Sequence, residues 1–322
     1  MTKLSSIPRL PIAPLNTPVE RCDRLRQAVP GMPEVFVKHD DYIGPLVWGN
    51  KVRKLEYCYA EAKRLGADTV ITCGGIQSNH ARITAQTAKR FGFEVVLVLN
   101  GVIPAKPTAN LLINRKMGVK IHYVSSRQER SVKMQVVQEE LEKAGKIVYP
   151  IPLGASDEIG SIGFVKAMEE LHLQEKSLGF QFDYIFHSSS SGGTQAGLEV
   201  GKRLFKMNAQ IIGVSADNSI QEIRDEIMTA AAPIQKRLKM KILINPDDIR
   251  VETGFIGPGY GVPSDESLEA EKIFAETEGI LLDQAYTAKA AAALIAYARK
   301  GFFNETDRVL FWHTGGTVSL FQ

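Results

Sequence analysis

The stretch "DYIFHSSSSGGTQAGLEVGKRLF", residues 183–205, changes character at a pair of glycines. The residues before Gly192 and Gly193 begin with an apolar run typical of a buried strand, and those after them have the apolar spacing of a helix. A strand that leads through a glycine turn directly into a helix is the repeating unit of parallel α/β sheets. The stretch therefore predicts an α/β fold.

The same strand-to-helix pattern recurs along most of the chain. Apolar runs alternate with helical segments without a Gly/Ser linker, and the strand candidates are "TVITCGG" (69–75), "EVVLVL" (94–99), "KIHYV" (120–124), "QIIGVSA" (210–216) and "RVLFWHTGG" (308–316). We expect two open, twisted sheets of mainly parallel type with flanking helices. We assign residues 1–50 and 160–322 to a large cofactor-binding domain and residues 51–159 to a small α/β domain.

The composition excludes several classes of protein. The chain has 322 residues, 44% of them hydrophobic and 23% charged, and its formal net charge of +3 is too small to favour a nucleic-acid partner. The N-terminal segment contains prolines and no long apolar core, so we expect neither a signal peptide nor a membrane span. Three widely spaced cysteines and six scattered histidines predict no metal site and fit a cytoplasmic protein.

The loops that follow the strands matter most, because ligands of open α/β sheets bind beyond the carboxyl ends of the strands. In the loop "SSSSGGTQAG" (188–197), glycines allow successive N–H groups to converge at a helix start, which favours a phosphate. The spacing fits neither a dinucleotide fingerprint nor a P-loop. The candidate phosphate contacts are Ser190, Ser191, Gly192, Gly193 and Thr194; the alternative is a tight turn with a Ser or Thr cap.

A second loop, "GGIQSNHAR" (74–82), has the same strand–turn–helix form. Ser78 or Asn79 would cap the helix. Four consecutive polar residues, from Gln77 to His80, exceed what a cap requires. They suit a carboxylate that lies on exposed N–H groups, although capping alone is the alternative.

A third stretch, "GNKVRKLEY" (49–57), places Lys51 at a helix start, where the helix dipole disfavours a cation. A lone lysine in such a position is usually a solvated charge. Together with a phosphate loop and a carboxylate loop, Lys51 becomes a candidate for imine formation with an aldehyde cofactor. We interpret Arg53 and Lys54 as surface or supporting charges.

These motifs, in this order, resemble the pyridoxal-phosphate enzymes of the tryptophan-synthase-β type, or fold type II. Within that group the chain is similar to the branch that holds D-cysteine desulfhydrases and 1-aminocyclopropane-1-carboxylate deaminases. The matching stretches are "VKHDDYIGPLVWGNKVRKLEY" (37–57), "GGIQSNHARITA" (74–85), "SSSSGGTQAGL" (188–198), "GPGYGVP" (257–263), "DQAYTAKA" (283–290) and "HTGG" (313–316). They span nearly the whole chain.

The resemblance implies that pyridoxal 5'-phosphate is the cofactor and lies in the cleft between the two domains. It implies that Lys51 carries the cofactor and that Asn79 hydrogen-bonds its ring oxygen. The loop 190–194 would hold the phosphate, and Thr287 and Thr314 would also contact the cofactor.

The resemblance also implies a small amino acid as substrate, with Tyr260 and Tyr286 along the substrate face. Ser78 and the neighbouring N–H groups would hold the substrate carboxylate. The implied catalytic residues are Lys51, Ser78, Tyr260 and Tyr286, and the implied substrate contacts are Gln77, Ser78, Asn79, His80, Tyr260 and Tyr286. We expect a homodimer.

Two residues depart from the deaminase branch, which usually has Glu where this chain has Thr287 and Leu where it has Thr314. A hydroxyl partner leaves the pyridine nitrogen largely unprotonated, which suits β-elimination better than ring opening. We therefore predict D-cysteine desulfhydrase activity, which yields pyruvate, ammonia and hydrogen sulfide. The alternatives are 1-aminocyclopropane-1-carboxylate deamination, elimination from L-cysteate or D-serine in a pocket reshaped by Trp48, and a catalytically silent ligand-binding homologue.

Overall fold

Strands and helices alternate along the chain. The computed structural model describes residues 3–44, 49–241 and 244–322, so Trp48 lies outside the described residues. The strands are β1 (Val19–Arg21), β2 (Glu34–His39), β3 (Thr69–Gly75), β4 (Glu94–Asn100), β5 (Lys120–Val124), β6 (Val148–Pro150), β7 (Tyr184–Ser189), β8 (Gln210–Ser215), β9 (Arg250–Glu252) and β10 (Arg308–His313). The α-helices are α1 (Asp23–Ala28), α2 (Lys51–Arg64), α3 (Asn79–Arg90), α4 (Ala109–Lys116), α5 (Glu129–Lys143), α6 (Ile162–Leu178), α7 (Gly193–Leu204), α8 (Ile220–Leu238), α9 (Asp265–Glu278) and α10 (Thr287–Arg299).

Local signals explain where several helices begin and end. Before α8, the Ser219 hydroxyl accepts from Glu222 N, and the Glu222 carboxylate accepts from Ser219 N at 2.8 Å. This reciprocal pair satisfies two N–H groups that the helix itself leaves without acceptors. After α9, Gly279 adopts a φ of 68°, which a residue with a Cβ rarely adopts.

The chain divides into two compact units, which we call the small and the large unit. The small unit comprises Met1–Ala13, Lys51–Gly163 and Val318–Gln322, and the large unit comprises Pro14–Asn50 and Phe164–Thr317. The sequence prediction placed residues 1–50 together in the large domain. The first segment belongs instead to the small unit, because Leu10 N donates to the Glu56 carbonyl and Ile12 N to the Glu56 carboxylate, both at 2.8 Å.

Each unit has its own sheet in the described part of the chain. The small unit has a four-stranded sheet in the order β5-β4-β3-β6, and every pair in it is parallel. The large unit has a six-stranded sheet in the order β1-β2-β10-β7-β8-β9, in which only β1 pairs antiparallel with its neighbour. The predicted fold class, two mainly parallel sheets with flanking helices, is confirmed.

Both faces of the large sheet are buried. Successive residues of its strands point to opposite faces, and each set of residues packs into a core of its own. Phe186 and Phe311 contribute to a core formed with α9 and α10, whereas Ile185 and Leu310 pack with residues of α6 and α7. In consequence, ligand contacts of this unit can come only from the ends of its strands and from the loops that follow them.

Candidate functional site

Lys51 is the first residue of α2 in the small unit. The first turn of α2 contains no acidic residue, so nothing on the helix itself neutralises this amine beside the positive end of the dipole. The side chain is half-buried, and burial lowers the pKa of the Lys51 amine to about 8. An amine with this pKa is partly unprotonated near neutral pH, which nucleophilic attack on an aldehyde requires.

Arg53 and Lys54 are buried, with exposed fractions of 1% and 0%, so of the two predicted alternatives, surface or supporting charges, the first is wrong and the second stays a prediction. The Lys54 amine donates to Gly154 O at 3.1 Å and to Ser156 Oγ at 3.0 Å. Burial lowers the pKa of Lys54 well below its usual value. The start of α6 packs closely against the backbone of Arg53, since a Cβ on Gly163 would lie 2.2 Å from the Arg53 carbonyl oxygen.

Ser78 caps α3. The sequence prediction named either Ser78 or Asn79 as the cap of this helix. Its hydroxyl oxygen accepts from Ala81 N at 3.2 Å, and the residue is buried. An accepting hydroxyl oxygen still has its hydrogen to donate. The same hydroxyl can therefore cap the helix and bind a carboxylate.

Gln77 and His80 have other partners, which argues against their predicted substrate contacts. The Gln77 amide oxygen accepts from Asn110 N at 3.0 Å, at the start of α4. His80 is buried, and its Nε2 lies 2.8 Å from the Thr72 hydroxyl, which donates to Ile151 O. Because that hydroxyl is already a donor, His80 Nε2–H must donate to it. Burial lowers the pKa of His80 well below its usual value, so the ring is neutral.

Asn79 lies at the first position of α3 and is half-buried. Its Oδ1 accepts from Asn110 Nδ2 at 3.0 Å. The remaining polar atom of the side chain, Nδ2, is a donor. A donor at this position suits an anionic ring oxygen.

The turn between β7 and α7 lacks a side-chain cap. Gly192 occupies the N-cap position with a φ of 67° and has no side chain to accept from the first turn of the helix, in which Gly193 N donates to the Ser191 carbonyl at 2.7 Å. A Cβ on Gly192 would lie 2.7 Å from Glu226 Cβ and 2.9 Å from Ile227 N, so only glycine fits. The first-turn N–H groups of a helix have no acceptor within it, and an anion can provide one.

Neighbouring polar contacts hold the same turn in place. The Ser190 hydroxyl donates to Asp217 Oδ1 at 3.0 Å, and Asn218 Nδ2 donates to the Ser190 carbonyl at 3.1 Å. Ser191 follows Ser190 as part of the bend, and Gly193 and Thr194 are the first residues of α7. The predicted phosphate contacts therefore form one continuous turn, and this cradle fits a phosphate-bearing cofactor.

Tyr260 and Tyr286 lie together in the large unit. Their rings meet edge-on, with centroids 5.5 Å apart at an interplanar angle of 78°, and their hydroxyls are hydrogen-bonded. Burial, reinforced by Tyr260, raises the pKa of Tyr286 well above its usual value. Tyr286 is therefore a neutral donor at physiological pH, which suits it to hold a substrate group or a proton rather than a charge.

Thr287 is fully engaged with Asp283. Its Oγ1 accepts from Asp283 N at 2.7 Å and donates to Asp283 Oδ1 at 2.8 Å. The Asp283 carboxylate also accepts from the N–H groups of Ala285 and Tyr286. The hydroxyl hydrogen of Thr287 is thus used within the protein.

Thr314 follows β10 and is buried. Its hydroxyl lies 3.4 Å from the Ser188 hydroxyl, and its carbonyl accepts from Asn50 N at 3.1 Å. Gly49 and Gly315 form a β-bridge beside this bond. The loop "HTGG" is therefore tied to the chain that leads up to α2.

The sequence prediction missed two residues that support the tyrosine pair. Asp283 fixes the turn before α10, and the Lys289 amine donates to Ile256 O and Gly259 O, both at 2.6 Å, which holds the loop of Tyr260. Asp283 had a usable signal, because Asp before a helix start is a typical capping residue. Lys289 had none, since a lysine in an alanine-rich helix is usually solvated.

Two other kinds of site are absent from the described ranges. No described helix is long and apolar enough to cross a membrane. No group of three His, Cys, Asp or Glu residues among residues 3–44, 49–241 and 244–322 could hold a metal ion.

Comparison with protein families and curated sequences gives consistent matches. A family described as "Pyridoxal-phosphate dependent enzyme" matches residues 12–315. A 1-aminocyclopropane-1-carboxylate deaminase from Rhizobium leguminosarum bv. viciae is 34% identical over 99% of this chain and 97% of its own. A probable 1-aminocyclopropane-1-carboxylate deaminase from Schizosaccharomyces pombe is 33% identical over 98% and 96%.

Solved structures show the same relationship. The crystal structure of a 1-aminocyclopropane-1-carboxylate deaminase homologue superimposes with a TM-score of 0.90 at 31% identity and covers 99% of this chain and 94% of that one. The structure of maize serine racemase has a TM-score of 0.67 at 18% identity over 94% of this chain and 88% of that one, which shows a shared fold.

Proposed function

Because the chain belongs to the family of pyridoxal-phosphate dependent enzymes, we propose that it is a lyase of the 1-aminocyclopropane-1-carboxylate deaminase type that releases ammonia and a 2-oxo acid from a small amino acid. The observation that carries this proposal is the near-complete match, in both chains, to relatives with that name. Membership in an enzyme family also favours catalysis over the alternative of a silent ligand-binding homologue.

Residues of each unit fit the cofactor by their chemistry. The uncapped turn at Gly192 would hold its phosphate, Asn79 Nδ2 would donate to its ring oxygen, and Lys51 would bind it covalently. Pyridoxal phosphate supplies, when bound, a ring that stabilises negative charge at the α-carbon of the substrate.

Lys51 is the proposed proton acceptor at the α-carbon once the substrate is bound. With a pKa of about 8, about a tenth of these amines are unprotonated at neutral pH, compared with far fewer for an ordinary lysine. Ser78 would donate its hydroxyl hydrogen to the substrate carboxylate while it continues to cap α3. The Tyr286 hydroxyl, neutral and paired with Tyr260, would orient the substrate and hold a proton for the leaving atom.

Ring opening of 1-aminocyclopropane-1-carboxylate is the first candidate reaction. The relatives with this name favour it over the D-cysteine desulfhydrase activity predicted from the sequence. The expected products are 2-oxobutanoate and ammonia.

Elimination of hydrogen sulfide from D-cysteine is the second candidate, and Thr287, where the deaminase branch usually has Glu, favours it. The Thr287 hydroxyl is neutral, so it does not hold a proton on the pyridine nitrogen by opposite charge as a carboxylate would. An unprotonated nitrogen withdraws fewer electrons, and expulsion of thiolate requires less carbanion stabilisation than opening a carbon ring.

A panel of substrates tests both the proposal that the protein is a lyase and the choice between the two candidate reactions. We expect the purified holoenzyme to release a 2-oxo acid and ammonia, measured as 2-oxobutanoate from the cyclopropane amino acid and as pyruvate from D-cysteine, D-serine and L-cysteate. Pyruvate without 2-oxobutanoate would replace the first candidate by elimination. Absence of any 2-oxo acid from all of these substrates would overturn the lyase proposal.

A further inference from the structure

A chain of hydrogen bonds in the small unit leads from a buried arginine to Asn79. Arg82 Nε donates to Asn110 Oδ1 at 2.6 Å. Asn110 Nδ2 donates to Asn79 Oδ1 at 3.0 Å and to the Gln77 carbonyl at 2.8 Å. The amide of Asn110 thus has all its polar atoms engaged, and it connects α3 to the start of α4.

Arg82 and the Gln77 carbonyl together fix the direction of the bonds in this chain, since the first can only donate and the second can only accept. The oxygen and nitrogen of an asparagine amide can exchange places without a change of shape, so an amide alone does not determine its own orientation. A guanidinium can only donate. Its neighbour Asn110 must therefore turn its oxygen toward Arg82, which directs its NH₂ group toward Asn79. Asn79 must in turn accept through Oδ1, so its own NH₂ group faces away from the chain.

Arg82 is costly to bury, and the fold gives it little compensation. It is 0% exposed, no carboxylate is paired with it in the described part of the chain, and its Nη2 has no hydrogen-bond partner there. Its second contact is Nη1 to the Gln86 amide oxygen at 3.3 Å. Burial lowers its pKa to about 9, still high enough for the cation at neutral pH. A buried cation without an anionic partner destabilises a fold, so a role other than stability is needed to account for it.

We propose that Arg82 is a positioning residue that, through Asn110, holds the Asn79 amide with its NH₂ group toward the ring oxygen of pyridoxal phosphate. This inference rests on the proposed role of Asn79. The ring oxygen is an acceptor when it is ionised, so the donor end of Asn79 binds it and the carbonyl end repels it. The orientation of one amide thereby decides between attraction and repulsion.

Asn110→Asp tests the inference because it reverses one bond without a change of size. The aspartate still accepts from Arg82 and forms an ion pair with it, but it has no hydrogen to donate to Asn79. The Asn79 NH₂ group is then drawn to the new carboxylate, and its oxygen turns to the cofactor. We expect the dissociation constant of pyridoxal phosphate to rise about tenfold, and the pH midpoint of the visible absorption of the holoenzyme to shift. The thermal unfolding midpoint should stay within a few degrees of wild type, since the ion pair offsets the lost bond to Gln77.

Gln86→Glu is the matched control. It also places a carboxylate beside the Arg82 guanidinium, but on the side that does not lead to Asn79. We expect the affinity for pyridoxal phosphate and the absorption profile of this variant to match wild type. An equal loss of affinity for pyridoxal phosphate in Gln86→Glu and Asn110→Asp would overturn the inference. A nearby charge rather than the orientation of the amide would then be responsible for the weaker binding.

Asn79→Ala separates the inference from the assignment on which it rests. Weaker cofactor binding in both Asn79→Ala and Asn110→Asp supports the positioning role. Weaker binding in Asn79→Ala alone would overturn the role of Arg82 and Asn110 while the role of Asn79 stands. Wild-type binding in both variants would overturn both assignments, and the substrate panel would still decide the lyase proposal independently.

Discussion

The two turns that lead from a strand into a helix, β3 to α3 and β7 to α7, have the same form but different caps. Ser78 caps α3 through its side chain, whereas Gly192 caps α7 without one. Each turn also needs a glycine for a different reason. A Cβ on Gly74 would lie 2.6 Å from Ser78 Oγ, while a Cβ on Gly192 would meet Glu226 Cβ at 2.7 Å.

The type of cap determines what each turn can bind. A side-chain cap uses one of the free N–H groups of the helix and leaves a hydroxyl hydrogen to donate, which suits a ligand that comes and goes. An uncapped first turn leaves the N–H groups to the ligand, which suits a resident anion such as a phosphate. We therefore expect Ser78 itself to affect substrate binding and the turn at Gly192 to affect cofactor binding.

The largest effect on turnover is expected from Lys51→Ala. This substitution removes the amine that would bind the cofactor, and the proposed roles of both turns depend on that cofactor. Turnover should fall at least about a thousandfold, because loss of a covalent catalytic group has effects of that size. Lys63→Ala is the matched control, since Lys63 is exposed in the last turn of the same helix. Steady-state turnover of Lys51→Ala within a few-fold of wild type would contradict the assignment.

Gly192→Ala should weaken cofactor binding most. It places a Cβ at a φ of 67° against the backbone of α8, which must shift. We expect the dissociation constant of pyridoxal phosphate to rise about tenfold or more, with a lower unfolding midpoint. Gly74→Ala places a Cβ 2.6 Å from Ser78 Oγ and 2.7 Å from Ser78 Cβ, so Ser78 must shift, and we expect KM to rise and cofactor affinity to change less than in Gly192→Ala. Cofactor retention by Gly192→Ala through dialysis would place the phosphate elsewhere.

A pair of Ser78 variants separates capping from substrate binding. Ser78→Ala loses the cap and should destabilise the protein by about 1 kcal/mol, with a lower kcat/KM. Ser78→Asp keeps a capping oxygen but presents a negative charge to the substrate carboxylate. It should therefore recover the stability measured by thermal unfolding and lose still more kcat/KM. Recovery of both quantities would mean that Ser78 is a cap and no more.

The smallest effect concerns pH and the stability of the cofactor-free protein. Folding lowers the pKa of Lys51 from 10.5 to about 8, so between these values the unfolded chain binds more protons. The stability cost of this amine is therefore fully present below about pH 8 and disappears as pH rises toward the higher value. Lys51→Met should be more stable than wild type near pH 7, and the difference in urea denaturation should shrink by about pH 10. A difference that is independent of pH would contradict the lowered pKa.

Much of the fold was predictable from the sequence because it depends on local patterns. The β3 strand and the β5 strand occupy the same residues as the runs "TVITCGG" and "KIHYV". The glycine pair at the start of α7 marked the uncapped turn, since few other residue types allow its backbone. Short or polar elements such as β9 had no comparable signal.

The site was less predictable because burial depends on distant segments. Lys54 resembles a solvated charge in its own helix, yet Gly154 and Ser156, a hundred residues away, enclose its amine. Gln77 and His80 resemble ligand contacts until Asn110 and Thr72 are placed beside them. A sequence pattern shows which groups are available, but it does not show which of them the fold uses.

The order of strands in the large sheet has a consequence for synthesis on the ribosome. β2 pairs with β1, its neighbour along the chain, but its other edge pairs with β10, where Phe36 lies opposite Leu310. Chains emerge from the ribosome N-terminus first, so β2 must wait with an open edge until β10 (Arg308–His313) has been made. Exposed apolar edges of this kind promote association between nascent chains. We therefore expect the large unit of a nascent chain to be more exposed to such association than the small unit, whose strands β3 to β6 can pair as soon as they emerge.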